Sequence, residues 1–145
     1  MHRRVSLLFL VSLVALACSS GGGTPGSGRP PGIAQPEINI GLANSLFFGS
    51  TDTAPANIDV VITNRANVPI VVRRIDVDSP GMSTYTIRRV ARDYRENLAP
   101  GETKRLTVFA TAVTAVSRPT EPLSLRAFID FEVEKDRWRE IVLLR

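Results

Sequence analysis

Leu123, Leu125, Ala127, Ile129, Phe131 and Val133 alternate with Ser124, Arg126, Phe128, Asp130, Glu132 and Glu134, a period of two kept over twelve residues. A 3.6-residue helix would smear these positions round its circumference, so the run predicts a strand with one buried face. After Lys135-Asp136-Arg137, Trp138 to Arg145 carries Ile141, Val142, Leu143 and Leu144, close enough to return as the hairpin partner. The chain is thus expected to end inside the sheet, with no tail of separate function.

The same theme recurs upstream in shorter runs. Glu37 to Leu42, with Ile38, Ile40 and Leu42, predicts a first edge strand; Asn57 to Asn64, with Ile58, Val60 and Ile62, predicts a second, closed by Asn64-Arg65-Ala66-Asn67. Val68 to Asp78 is the third. Its apolar positions step from Ile70 and Val72 to Ile75 and Val77, and the three-residue step across Arg73-Arg74 predicts a β-bulge before the turn Ser79-Pro80-Gly81. Thr103 to Ala112 is entered through Ala99-Pro100-Gly101-Glu102, where Pro then Gly suits the central pair of a type II turn. Ser83 to Leu98 is ambiguous: Ile87, Val90, Ala91, Tyr94 and Leu98 have helical spacing, whereas Ser83-Thr84-Tyr85-Thr86-Ile87 favours a strand. We expect a strand to about Val90, then an irregular crossover or single helical turn. The reading is seven strands and an all-β fold, in a domain spanning 37–145.

The N-terminal pattern is of another kind. His2, Arg3 and Arg4 precede the apolar run Val5 to Leu16, broken only by Ser6 and Ser12, and then come Ala17 and Cys18. A basic start, a short apolar stretch and small residues before a cut mark a secretory signal over 1–17, too short for a permanent anchor of about 20 apolar residues. Ala15-Leu16-Ala17-Cys18 resembles the lipobox of bacterial lipoproteins. That resemblance implies cleavage before Cys18, acylation of Cys18 with chains such as palmitate, and attachment to the bilayer through them. It also fits the cysteine count, since Cys18 is the only cysteine and has no disulfide partner. Residues 18–36 form the tether: 6 of the 10 glycines lie between Ser19 and Gly32, with almost no apolar side chain, so a flexible linker is expected. In enteric-type lipoproteins an Asp after the acylated cysteine retains the protein at the inner membrane. Ser19 stands there instead. The resemblance therefore implies delivery to the outer membrane, with the domain facing the periplasm or, as in Gly-rich surface lipoproteins, the outside.

Charge changes the picture once the signal is subtracted. The formal charge of +4 includes Arg3 and Arg4; without them 16 basic residues face 14 acidic ones, too small an excess to predict a nucleic-acid partner. His2 leaves with the signal too. The remaining chain has no imidazole and its thiol is taken by lipid, which excludes Ser-His-Asp and Cys-His catalysis and His- or Cys-ligated zinc. No catalytic, cofactor or metal residue is assigned.

Leu98 to Thr103 and Val61 to Ile70 resemble turns of immunoglobulin-like modules in bacterial envelope proteins, which implies an Ig-like or fibronectin-like β-sandwich. Several side chains remain as candidate chemistry. Asp130, Glu132 and Glu134 on one strand face could act as acid and base or hold calcium, or could pair with Arg126, Arg137 or Arg139. Asp76-Val77-Asp78-Ser79-Pro80-Gly81 starts like a calcium loop but lacks its closing glutamate. Arg88, Arg89, Arg92 and Arg95 form a basic cluster that could meet lipid phosphates or an acidic glycan, or pair internally with the interleaved Asp93 and Glu96. Trp138 and Phe128 could anchor a partner or plug the core. The leading expectation is a monomeric, non-enzymatic envelope lipoprotein that binds another envelope protein, through a sheet edge. The alternatives are a carboxylate-dependent glycan-acting hydrolase, betrayed by two carboxylates about 5–10 Å apart in a concavity, and the outer-membrane lipoprotein of a type VI secretion system, which Ala127-Phe128 and Trp138-Arg139 resemble in its C-terminal end.

Overall fold

The computed structural model describes residues 28–80, 85–114 and 123–144; Cys18 and the rest of the signal and lipobox lie outside them. Among the described residues eight strands run in chain order: β1 (Glu37–Leu42), β2 (Thr53–Thr63), β3 (Ile70–Asp78), β4 (Tyr85–Ile87), β5 (Val90–Leu98), β6 (Thr103–Thr114), β7 (Leu125–Val133) and β8 (Asp136–Leu144). They form two four-stranded sheets, β1-β2-β6-β4 and β5-β3-β7-β8, with every ladder antiparallel. The fold is an all-β sandwich, and the β1-β2-β6 and β3-β7-β8 ladders follow the strand order of immunoglobulin-like domains.

The core is the set of inward residues that the alternation predicts. Ile58, Val60 and Ile62 of β2 and Val108 of β6 meet Val72, Ile75 and Val77 of β3 and Leu125, Ala127, Ile129 and Phe131 of β7, all fully buried. Trp138 plugs one end, 4% exposed and stacked on Phe131 with ring centroids 5.2 Å apart.

The eighth strand is a correction to the crossover or helical turn expected after about Val90. Ile87 belongs to β4 and pairs with Ala112 in the first sheet, whereas Val90, Tyr94 and Leu98 belong to β5, where Val90 and Leu98 pair with Val77 and Ile70 of β3 in the second. Their helical spacing is thus shared between two sheets. Because β5 is an edge strand, most of its side chains face water, and that polarity hid the period-two signal. The β3 bulge lies where the step across Arg73-Arg74 places it. Val72 and Arg74 pair with the consecutive residues Phe131 and Asp130, leaving Arg73 as the extra residue.

Two turns carry positive φ on glycine, as type II geometry requires. Gly101 (φ 78°) sits between Pro100 and Glu102, whose N–H donates to the Ala99 carbonyl at 3.0 Å. Pro30-Pro31-Gly32-Ile33 repeats the pattern inside the compositional tether, with Gly32 at φ 82° and the Ile33 N–H donating to Pro30 at 3.3 Å. That turn brings the segment onto the sandwich: Pro36 is buried and Ile33 packs on the core. Arg29 Nη1 donates to Glu140 Oε1 at 3.1 Å and Gln35 Nε2 to Glu140 Oε2 at 3.4 Å. Glu140 is 4% exposed on the inward side of β8, and the Trp138 indole also donates to it at 3.1 Å. The buried carboxylate is therefore matched by a cation and two neutral donors, without which its desolvation would be costly.

The β7–β8 connection is the two-residue turn Glu134-Lys135, tighter than the sequence reading, with Glu134 at φ 53°. A side chain at positive φ is strained where glycine is not. Glu134→Gly is expected to raise stability by about 0.5–1 kcal/mol, read as a shifted midpoint in urea with an unchanged slope; a lowered midpoint would show the turn to be relaxed as it stands.

Candidate functional site

The outward face of the β5-β3-β7-β8 sheet concentrates the charged side chains that the sequence singles out. Cross-strand ion pairs cover it. Asp130 accepts from Arg139 Nε and Nη2 at 2.6 and 2.9 Å, Asp78 from Arg126 at 2.9 and 2.8 Å, and Asp76 from Arg89 Nε at 3.0 Å. Phe128 lies between these pairs, with the Arg126 guanidinium 4.9 Å and the Arg139 guanidinium 5.8 Å from its ring centroid. Glu132 joins Arg73, at 3.0 and 2.7 Å, to Arg137, at 2.8 Å. The hydrogen bonds from Arg73, then those from Arg137, hold its carboxyl below the usual range. Arg89 does the same for Asp76.

These contacts place each sequence candidate. Of the row Asp130, Glu132 and Glu134, the first two are paired as the cross-strand alternative expects, and Glu134 has moved out of the strand into the turn. Asp76 and Asp78 spend their oxygens on arginine, and among the described residues no three His, Cys, Asp or Glu side chains come together to hold a metal. The cluster Arg88, Arg89, Arg92 and Arg95 does not pair with its interleaved acids. Asp93 pairs with Arg74 and Glu96 with Lys104, because residues adjacent in a strand point to opposite faces. Arg88, Arg92 and Arg95 make no ion pair with any described residue.

Two features stand out on this sheet. At the bulge a concavity of about 820 Å³ is lined by Arg73, Arg74, Arg95, Arg137 and Arg139 with Asp93, Asp130 and Tyr94. Consecutive side chains in a regular strand face opposite ways, and the extra residue in β3 is what lets Arg73 and Arg74 both line it. Its two carboxylates are each bonded to an arginine, Asp93 to Arg74 and Asp130 to Arg139.

The second feature is the free edge of β8. Its turn makes Val133 and Asp136 the closing hydrogen-bonded pair, so the backbone groups of Arg137, Arg139, Ile141 and Leu143 point away from β7. Among the described residues no other strand pairs with them. Ile141 and Leu143 are 49% and 48% exposed beside that edge. The sequence pattern marks these two as members of a hairpin partner. That β8 would also end its sheet depended on topology.

No protein-family model matches the chain, and no curated protein matches it. Among solved structures it is similar to a protein from Archaeoglobus fulgidus, at 12% identity over 77% of this chain and 92% of that one, with a TM-score of 0.44. It is also similar to a FixG-related protein from Vibrio parahaemolyticus, at 8% identity over 77% of this chain and 96% of that one, with a TM-score of 0.33. At these scores neither likeness bears on function, and the functional reading rests on the chain's own geometry.

Proposed function

We propose that the chain is a non-enzymatic envelope lipoprotein, anchored through acylated Cys18 to the outer membrane, whose sandwich binds another envelope protein by accepting a strand at the β8 edge. The observation that carries the reading is the contrast between the two edges of one sheet. On β5 the edge bears Arg92, Asp93, Arg95 and Glu96, and Arg92 sits opposite the inward-facing Ile75 yet is exposed. An inward charge of that kind is a common guard against edge-to-edge pairing. The distal half of β8, Ile141-Val142-Leu143-Leu144, has no charge at all. Unpaired backbone groups beside half-exposed apolar side chains suit strand addition, in which the ladder supplies affinity and the side chains supply selectivity.

The test is site-specific photocrosslinking in cells, with a photoreactive residue at Leu143 or, as a control, at Phe109, which is 59% exposed on the other sheet. An adduct of one defined mass is expected from position 143, abolished when Ile141→Lys is added, and absent from position 109. Equal adducts from both positions, or none from 143, would overturn the docking edge. The anchor is checked in parallel: Cys18→Ser should abolish labelling by a clickable fatty acid and release the protein from membranes, and label retained on that variant would remove Cys18 from the account.

A further inference from the structure

We infer that the concavity at the β3 bulge is a binding site for a dianionic phosphate monoester, sharing Arg137 and Arg139 with the charged proximal half of β8 and lying apart from the apolar distal half, Ile141 to Leu144. Charge is the first ground. Arg73, Arg74, Arg95, Arg137 and Arg139 line it, and the carboxylates they meet are Asp93, Asp130 and Glu132, so the site carries two more cations than anions. With Glu132 held ionised by Arg73 and Arg137, that excess is present at neutral pH.

Donor supply is the second ground. Arg95 bonds to no described carboxylate. Arg73 spends Nε and Nη2 on Glu132, leaving Nη1; Arg137 spends only Nε, and Arg74 only Nη1. Guanidinium nitrogens bonded to no described carboxylate therefore line one shared concavity, and planar forks of N–H donors suit the clustered oxygens of a phosphate better than a lone carboxylate. A phosphate monoester also concentrates close to two charges on one centre, which equals the excess.

The bulge is the third. It interrupts the ladder at Arg73 and turns two adjacent arginines to one side, while keeping Val72 and Ile75 both in the core. Farther along the same face Arg89–Asp76 and Arg126–Asp78 are balanced pairs. The excess is local, which fits one dianion and not the track of a nucleic acid. At about 820 Å³ the concavity has room for a sugar-sized body behind the phosphate, with Tyr94 along its wall.

Such a monoester could be a free sugar phosphate or the headgroup of phosphatidic acid, and the full-length protein in detergent can be titrated with each. Glucose 6-phosphate by calorimetry and phosphatidic acid in phosphatidylcholine vesicles by flotation are the two probes, with glucose and pure phosphatidylcholine as blanks. Saturable one-site binding to at least one probe is expected. Arg95→Gln, which breaks no ion pair, should weaken it by about tenfold, the effect of removing a single charge-assisted hydrogen bond to the phosphate. Arg73→Gln should do the same, and Arg89→Gln, on the balanced part of the face, should change it by less than about twofold. Binding to glucose 6-phosphate identifies a soluble ligand, and binding to vesicles alone a lipid one; both support the site. Binding to neither probe, or equal weakening by Arg89→Gln and Arg95→Gln, would overturn it.

Discussion

Phe131→Asp is expected to abolish cooperative folding. Phe131 is fully buried, stacked on Trp138, and paired across its two ladders with Val72 and Trp138, at the centre of the sheet. Removing a buried aromatic ring costs about 3–5 kcal/mol, and an unpaired carboxylate in its place costs several more. A single domain has only about 5–15 kcal/mol to lose. Asp130→Asn, one residue away on the outward face, breaks the exposed pair with Arg139 and should cost under about 1 kcal/mol. Urea titrations of the two variants make the comparison. Similar midpoints would mean that the buried face of β7 has been misassigned.

The second large effect is expected at Asn64, a fully buried polar side chain in the β2–β3 turn. Its Nδ2 donates to the Val68 carbonyl at 2.8 Å and the Leu98 carbonyl at 3.0 Å, and its Oδ1 accepts from the Ala66 N–H at 2.9 Å. Its backbone N–H donates to Glu102 and its carbonyl accepts from Gly101, both at 2.9 Å. One residue thus ties the β2–β3 turn to the type II turn that opens β6. Asn64→Ala leaves two carbonyls and one N–H buried without their partner and should cost about 2–4 kcal/mol. Asn64→Asp keeps the shape but points carboxylate oxygen at two carbonyl oxygens, and should cost at least as much. If Asp were tolerated while Ala was not, volume and not hydrogen bonding would explain the site.

What the sequence disclosed follows from how local each signal is. The bounds of β1, the bulge at Arg73-Arg74 and the Pro100-Gly101 turn were legible because backbone geometry is written in neighbouring residues. The separation of β4 from β5 was not, since an exposed edge strand such as Val90–Leu98 has little apolar alternation to show. Glu140 occupies an inward position of β8, between Trp138 and Val142, and only the arrival of Arg29 from more than a hundred residues away makes a carboxylate tolerable there. The concavity was equally hidden. Arg73, Arg95 and Arg137 come from three strands, and their convergence is a property of sheet order. Sequence reading found the arginines of 88–95 and offered Asp93 and Glu96 as one set of partners, which instead pair with Arg74 and Lys104, because adjacency along a strand is not adjacency in space.

The contact between Arg29 and Glu140 also sets the path that force would take through the molecule. The segment leading into β1 is fastened first to β8, in one sheet, by that ion pair, and only then enters the other sheet through the β1–β2 ladder. A pull from the N-terminal side would load the Arg29–Glu140 link before any backbone ladder. Residues 29–36 would be released as extra reach only when the Gln35–Glu140 bond and the packing of Ile33 and Pro36 gave way after it, with both sheets still intact, so the link is the first stage of a graded release.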